Sequence, residues 1–265
     1  GDGLGLGTIM DDGTGTGGTN NDAPTLSVNS VSVLENAGYA VFAVSLSNAS
    51  ILATTVSLAT TNGTASSPSD YTSAIQISTN GGTTWTTASS ATIVAGATSV
   101  LVRVPVVNDG LDEANETFTL TATRTAGVTT NVSASGVATI LDNDSTPVVQ
   151  ADTNNTTEDL PVSASGVLSN DSDADGNALT VVGVLAGSSG TPSGNVGTSV
   201  TGAYGSVVIN GDGSYTYTPS AAMQSLASGQ SVQDVFTYRV SDGNGNFAQT
   251  TLTITINAQK HTPLA

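Results

Sequence analysis

Short runs in which apolar and polar residues alternate fill most of this 265-residue chain. Residues 39–46 (YAVFAVSL) and 99–107 (SVLVRVPVV) are examples, and Val, Ile and Thr are frequent in such runs. Pairs such as Asn62-Gly63 and Asp212-Gly213 separate them, and these pairs favour tight turns between antiparallel strands. A period of two places alternate side chains on opposite faces of a strand. The pattern therefore predicts an all-β chain, with a short helical turn expected only after Ser220.

Two such patterns follow one another, and each is long enough to enclose its own apolar core. The first expected domain covers residues 23–145, with strands at 26–34, 39–46, 54–60, 75–78, 99–107, 117–122 and 133–141. Pro147 marks a stiff junction. The second expected domain covers 146–258, with strands at 205–209, 214–218, 235–241 and 248–256, and a tail follows at 259–265. The predicted fold class is two tandem antiparallel immunoglobulin-like β-sandwiches with an extra N-terminal strand.

The extra strand is expected within the Gly-rich segment 1–22, which otherwise has the composition of a flexible linker. Residues 5–13 (GLGTIMDDG) align without gaps with residues 136–144 (GVATILDND), the last expected strand of the first domain. The segment is therefore interpreted as the end of a preceding repeat, which implies a tandem array, or as a donor strand for another copy.

Acidic side chains are concentrated between the expected strands. The chain has 21 Asp and Glu against four Lys and Arg, and its formal net charge is −17, so ion pairs can neutralise few carboxylates. Two carboxylates about 4 Å apart repel by about 1 kcal/mol in water and by about 4 kcal/mol near a protein surface. A hard divalent cation, above all Ca²⁺, is the natural partner. The alternative is that Asp favours turns, which is preferred for the isolated residues Asp2, Asp22, Asp212 and Asp234.

One set of acids lies at strand ends that a sandwich would bring to one pole. VLENAG (33–38), SDYT (69–72), VVNDGLDEANETF (106–118) and ILDND (140–144) resemble the Calx-beta domain, a calcium-binding sandwich, over roughly residues 24–145. The resemblance implies a small calcium cluster with ligands at Glu35, Asp70, Asp109, Glu113, Glu116, Asp142, Asp144 and the backbone carbonyl of Leu111. Asn108 and Asn143 stand where the richest binders of that family carry acids. Their amide oxygens can still coordinate, although fewer or weaker-bound ions are expected.

A second set of acids surrounds DSDADG (171–176), which begins like an EF-hand loop but lacks the downstream Glu. TEDLPV (157–162), VLSNDSDADGNALTV (167–181), YGSVVINGDGSYTYTP (204–219) and FTYRVSDGNGN (236–246) resemble the cadherin-like repeats of giant bacterial adhesins. The resemblance implies calcium ligands at Asp171, Asp173, Asp175, Asp242 and Glu158 or Asp159. Asp152 could add a ligand at the junction, where an ion close to Asp144 would help to fix the angle between the domains.

Other chemistry finds little support in the sequence. His261 is the only histidine, and cysteine is absent. The chain therefore lacks a general base for a serine nucleophile and lacks a set of zinc ligands. The Gly-rich start lacks the strand and helix of a phosphate loop. Glycoside hydrolysis by two carboxylates needs an aromatic cleft, and Trp85 is interpreted as a hairpin or core residue. The net charge argues against nucleic acid and anionic lipid as partners. No enzymatic activity is predicted.

The function expected from these observations is a non-catalytic, calcium-stiffened segment of a large adhesive protein outside a bacterial cell, partnered by neighbouring repeats. A surface or matrix ligand is a further expected partner. The segment is not expected to insert into a membrane. The alternative is a self-assembling filament subunit, of the kind that builds biofilm, joined to other copies by its N-terminal strand. A glycan-binding module would need an exposed polar and aromatic patch, of which the sequence gives no sign.

Overall fold

In the computed structural model, which describes residues 23–259, the alternating runs form strands of four sheets. The contacts divide the chain into two units. Within the described residues, the first consists of 23–108 and Ala114–Asn143, and the second of Asp109–Glu113 and 144–259. The strand expected near the N-terminus, and all but the first residue of the expected tail, lie outside the described residues. Within the described range, no helix has the length and apolar character needed to cross a membrane.

The first unit is a sandwich of two five-stranded sheets. Sheet I has the order β1-β3-β8-β5-β6 and sheet II the order β2-β10-β9-β4-β7. All pairs are antiparallel except β2 with β10, which is parallel. The strands are β1 Leu26–Val28, β2 Val31–Leu34, β3 Tyr39–Leu46, β4 Thr54–Asn62, β5 Gln76–Ser78, β6 Thr86–Thr87, β7 Ser90–Ile93, β8 Ser99–Pro105, β9 Glu116–Ala126 and β10 Ser133–Leu141, with a 3-10 turn at Glu35–Ala37.

The expected strand 26–34 is two strands, because β1 pairs in sheet I and β2 in sheet II. The chain crosses between the sheets at Asn29 and Ser30. Gly136 lies against this crossing, since a Cβ on Gly136 would collide with the carbonyl oxygen of Asn29. The crossing sends β2 alongside β10, and this decides where the acids after both strands lie.

The second unit is a sandwich of two four-stranded sheets, ordered β11-β18-β17-β13 and β12-β16-β15-β14. Among its described strands, only β11 with β18 is parallel. A 3-10 turn, Ala221–Ser225, follows Ser220 where a helical turn was expected, although the Ser220 side chain does not cap it. The strands are β11 Asp152–Thr157, β12 Val162–Ala164, β13 Thr180–Ala186, β14 Val200–Thr201, β15 Gly205–Ile209, β16 Tyr215–Pro219, β17 Ser231–Ser241 and β18 Phe247–Asn257.

Each unit has its own core between its two sheets. In the first, Tyr71 stacks on Phe118 with ring centroids 4.2 Å apart, and Phe42 meets Phe118 edge to face at 6.1 Å. In the second, Tyr217 and Phe236 pack edge to face at 6.0 Å. Each such side chain contributes roughly 1.5–3 kcal/mol when fully buried. The two cores hold the strands and so fix the strand ends on which the acids stand.

Candidate metal centre

Glu35 and Asp142 are brought together by the one parallel strand pair of the first unit. Leu34 at the end of β2 is in register with Leu141 at the end of β10, and the two acids are the next residues along the chain. One carboxylate oxygen each from Glu35, Asp142 and Asp144 lie within 4.8 Å of one another. Glu35 is only 7% exposed. The resulting acidic triplet, which we call triplet A, combines a buried carboxylate with two half-buried ones.

Asn143 and Asn115 support triplet A through the backbone. The Asn143 side-chain oxygen accepts a hydrogen bond from the Asn36 backbone N–H at 3.2 Å. The Asn115 side-chain oxygen accepts one from the Asp142 backbone N–H at 3.1 Å. The amide of Asn143 therefore holds the turn that carries Glu35 in place.

A second triplet, triplet B, consists of Asp70, Glu113 and Glu116, whose carboxylate oxygens also lie within 4.8 Å of one another. Glu116 begins β9. The Asp70 backbone carbonyl accepts the Val107 N–H at 2.9 Å, which fixes Asp70 beside the end of β8. Its side-chain oxygen also accepts the Ser66 N–H at 2.6 Å. One oxygen of Asp70 is thus occupied by the turn that positions it.

Of the other residues expected to join these triplets, Asp109 forms a local turn by accepting the Leu111 backbone N–H at 2.9 Å. Asn108 is exposed, and the Leu111 side chain is 38% exposed. By its contacts the segment Asp109–Glu113 belongs to the second unit. There Asn246 accepts the Asp112 N–H at 3.0 Å and donates to the Gly110 carbonyl at 2.8 Å. Asn246 was not recognised from the sequence, where it appears as one more polar turn residue.

The chemistry of both triplets fits a hard cation. Their donors are carboxylate oxygens only, and three carboxylates this close repel one another by about 1 kcal/mol per pair or more. Calcium prefers such oxygens and tolerates irregular geometry, whereas zinc favours the nitrogen and sulfur ligands of His and Cys. Within residues 23–259, these are the two groups of three or more His, Cys, Asp or Glu side chains that are close enough to hold an ion.

In the second unit, the carboxylates of Asp152 and Asp171 lie near enough to interact electrostatically. Burial raises the pKa of Asp152 above its ordinary value. The hydrogen bond that Tyr238 donates to Asp152 at 2.6 Å lowers this pKa, but by less than burial raises it. Burial also raises the pKa of Asp171, and the charge of Asp152 acts in the same direction. The hydrogen bond from the Gln150 N–H at 2.8 Å lowers this pKa but does not outweigh burial. Burial, together with the bond to Asp152, raises the pKa of Tyr238.

Two carboxylate oxygens of the DSDADG loop are buried and accept no hydrogen bond: Oδ2 of Asp171 and Oδ2 of Asp173. The other oxygen of Asp173 accepts the N–H groups of Asp175 and Asn177 at 3.0 and 3.3 Å, as in the first turn of a metal-binding loop. Buried oxygens without a donor are costly unless something compensates them. The loop therefore also fits a cation, although its acids do not form a group of three.

Glu158 and Asp159 lie beyond the other end of β11 in the second unit. Glu158 follows β11 whereas Asp152 begins it, a separation of about 20 Å along the strand. Glu158 is 3% exposed and accepts the Gln259 N–H at 2.7 Å. Asp159 accepts a hydrogen bond from Gln224 at 2.6 Å. The structure therefore does not gather Glu158 or Asp159 with Asp152 and Asp171.

Asp242 is bound within its own turn. Its oxygens accept the Asn244 and Asn246 N–H groups at 2.9 and 3.1 Å and the Asn246 side-chain amide at 2.8 Å. Burial acts to raise the pKa of Asp242, but these three hydrogen bonds outweigh it and lower that pKa. The arrangement places Asp242 at the centre of a tight turn. Its role as a calcium ligand stays a prediction.

The prediction that Asp234 is an isolated turn residue is wrong. It lies within β17, is 2% exposed, and accepts hydrogen bonds from Ala203 N–H at 2.8 Å, Tyr204 N–H at 3.0 Å and the Tyr217 hydroxyl at 3.0 Å. Its place two residues before Phe236, on the inward side of the alternation, was the signal that could have identified it. Three donors satisfy this carboxylate, so it needs no cation.

Comparison with known proteins gives two family matches. Residues 19–146 match the Calx-beta domain, and residues 143–258 match the bacterial cadherin-like domain. The calcium-binding lectin RapA2 of Rhizobium johnstonii is 37% identical over 102 residues, which are 38% of this chain and 43% of that protein. The chain thus matches less than half the length of this relative.

Similar solved structures include the apo form of the Calx CBD1 domain and the CBD12 fragment from CALX1.2. The first is 21% identical, covering 45% of this chain and 99% of that chain, with a TM-score of 0.34. The second is 16% identical, covering 81% and 79%, with a TM-score of 0.37.

Proposed function

We propose that this chain, which carries a Calx-beta domain followed by a bacterial cadherin-like domain, is a calcium-stiffened, non-catalytic adhesive segment of a larger protein outside a bacterial cell. The observation that carries the proposal is triplet A, in which Glu35, Asp142 and Asp144 converge within 4.8 Å. Such convergence of like charges is unfavourable unless a cation neutralises it.

The residues of the triplets would hold calcium so that strand ends are tied to one another. Glu35 and Asp142 would connect the ends of β2 and β10 within sheet II. Asp70, fixed beside the end of β8 of sheet I, and Glu116 at the start of β9 of sheet II would connect the two sheets. Together the triplets would close one pole of the first sandwich.

The free energy of this closure depends on calcium concentration. An ion that binds only the folded state at about 100 times its Kd stabilises that state by about 2.7 kcal/mol. Sites of micromolar to millimolar Kd would be filled outside the cell and empty before export. The segment would then stiffen only after it has left the cell.

The adhesive role and the location outside the cell are supported by the cadherin-like domain and by the name of RapA2, a calcium-binding lectin. Neighbouring repeats of the same protein are the proposed partners. A rigid row of such domains would hold a binding surface away from the cell, and no step of this role requires catalysis.

Hydrogen exchange with and without calcium tests the proposal directly. Backbone amides at 35–38, 69–72, 114–116 and 142–144 should exchange more slowly with calcium than with a chelator, because ligation opposes local opening. Amides in the middle of β3 and β9 should change less. Equal exchange in both conditions at these strand ends would refute calcium stiffening.

Strand addition between copies is a second candidate. Among residues 23–259 each of the four sheets has edge strands, such as β2 and β7 in sheet II, whose backbone groups can pair with a strand from another chain. The proposed donor is the strand expected within residues 1–22. Deleting these residues separates the candidates, because a filament subunit would lose polymerisation, whereas a rod segment would remain a folded monomer.

A further inference from the structure

Arg103 lies on the outer face of sheet I against two aromatic rings. Its guanidinium carbon is 3.8 Å from the ring centroid of Tyr39 and 4.4 Å from that of Trp85. All three side chains are partly exposed. Trp85, expected in a hairpin or in the core, belongs to the connection between β5 and β6 and reaches over the outside of the sheet. The structure thus contains an exposed polar and aromatic patch that was not expected from the sequence.

The fold holds this patch in a defined geometry. Val102 and Val104 point into the core at 0% exposure, so Arg103 between them points outward. Asn80 organises the loop that carries Trp85, since it donates to the Thr84 hydroxyl at 2.8 Å and accepts the Thr84 N–H at 3.0 Å. The rings and the guanidinium are therefore positioned before any ligand arrives, which reduces the entropy cost of binding.

The guanidinium itself is only partly used. Its Nε–H donates to the side-chain oxygen of Gln76 at 2.7 Å, and Gln76 is the cross-strand neighbour of Arg103. Its two terminal nitrogens have no hydrogen-bond acceptor among residues 23–259, although the chain has 21 acids and only four basic residues. A guanidinium edge held in this way is suited to bind a carboxylate through two parallel hydrogen bonds.

We propose that Tyr39, Gln76, Trp85 and Arg103 form a binding site for an acidic saccharide of the uronic acid type. The carboxylate would accept hydrogen bonds from the terminal nitrogens of Arg103, and the apolar C–H face of the sugar ring would pack on the part-exposed aromatic rings. A rigid ring that bears its carboxylate meets both elements of the patch with little loss of conformational freedom. An acidic peptide, whose carboxylates end flexible side chains, fits less well.

The site deepens the adhesive part of the proposed function but does not depend on calcium. A single site of this kind on an open face binds weakly. A polymer that presents many uronates to many copies of the domain would be held far more tightly through multivalency. The patch would therefore serve attachment to an acidic polysaccharide matrix.

Fluorescence titration with an oligogalacturonate tests the proposal, because Trp85 is the only tryptophan and lies in the site. In the presence of a chelator, the oligomer should change the emission of the wild-type chain, whereas the same oligomer with methyl-esterified carboxyls should not. Arg103→Gln should weaken binding by at least about tenfold, since two charge-assisted hydrogen bonds are lost. Arg103→Lys should retain only part of the affinity.

Arg239→Gln is the matched control, since Arg239 stacks on Phe247 at 3.8 Å in the second unit and its replacement removes the same charge. It should leave binding unchanged, and each variant should keep the wild-type unfolding midpoint. The proposal is overturned by no response in the wild type, by equal losses in both Gln variants, or by binding of the esterified oligomer. It is also overturned if only an acid-rich peptide binds or if the response requires calcium. The calcium stiffening described above survives any of these results.

Discussion

Glu35 and Asp142 stand side by side because Leu34 and Leu141, the residues before them, are partners in the parallel pairing of β2 with β10. Parallel strands end at the same edge of a sheet, so whatever follows them shares that edge. The crossing at Asn29 and Ser30 takes β2 into the sheet of β10. The candidate calcium site of triplet A is therefore a consequence of strand topology.

Replacing Asp142 with Asn should raise the stability in chelator and reduce the stabilisation that calcium gives. In chelator the variant should be more stable by about 1 kcal/mol, because one of three repelling carboxylates is gone. Calcium should raise the unfolding midpoint of the variant by less than it raises that of the wild type, because the variant has lost a ligand. Asp212→Asn is the control, since Asp212 is an exposed turn residue that accepts hydrogen bonds from Ser214. A D142N response to calcium equal to that of the wild type would contradict the site.

Acidification should stabilise the calcium-free second unit through Asp152 and Asp171. Burial raises the pKa of both carboxyls above the ordinary 3.8, so the folded state holds these protons more tightly than the unfolded chain does. The stabilisation from this tighter proton binding is fully present below pH 3.8 and is lost as the pH rises through the raised pKa values. The double variant D152N/D171N should remove it while keeping the acceptors for Tyr238 and Gln150.

Thermal unfolding in chelator between neutral pH and pH 3.8 measures this effect as the difference between the wild type and the double variant. The variant should be the more stable at neutral pH, and the difference should shrink as the pH falls. A difference that is constant with pH would show that burial does not raise these pKa values. The pKa of Asp242 is lowered, so this residue stabilises the fold equally between neutral pH and pH 3.8. Its stabilising effect is lost only below pH 3.8 and does not alter the measured difference.

Asp234→Ala should destabilise the second unit by about 3 kcal/mol or more, because it leaves two partly buried N–H groups and the buried Tyr217 hydroxyl without their acceptor. The loss should be the same with calcium and with chelator, as measured by chemical unfolding. Asp234→Asn, which keeps one carbonyl acceptor, should lose less. A calcium-dependent loss would mean that Asp234 belongs to a metal site after all.

Gly136→Ala should destabilise the first unit by about 1–3 kcal/mol through overpacking, since the added Cβ would collide with the Asn29 carbonyl where β1 passes into β2. Gly166→Ala is the control, because the nearest atoms to its Cβ would be 3.8 Å away. Unfolding midpoints of both variants decide this. An unchanged midpoint in Gly136→Ala would mean that the crossing can shift without cost.

The period-two pattern predicted the all-β class and individual strands such as Tyr39–Leu46, because alternation is a local property. It did not predict that 26–34 belongs to two sheets, although the inward-facing positions shift by one residue at the crossing, from Leu26 and Val28 to Val31 and Val33. The short edge strand Ser90–Ile93 was missed because its Ser, Ala and Thr residues give a weak signal. The pairing of β2 with β10 is a long-range property that no single segment encodes.

The candidate site was predictable only in part for the same reason. Strand ends and a family resemblance indicated Glu35, Asp142 and Asp144, and the structure places them together. The second set of acids is divided between the two ends of β11, which composition alone cannot reveal. Arg103 with Trp85 escaped notice because their contact depends on how the loop after β5 folds over sheet I.

Thermal unfolding of the wild-type chain with excess calcium and with chelator measures whether an ion bound between these carboxylates stabilises the fold. The midpoint should be higher by about 8–16 °C with calcium, from a stabilisation of about 2.7 kcal/mol in a unit of this size. Magnesium at the same concentration should give a smaller shift, because it demands regular octahedral geometry and gives up its water reluctantly. A midpoint that is identical with calcium and with chelator would contradict the claim that these carboxylates converge to hold an ion.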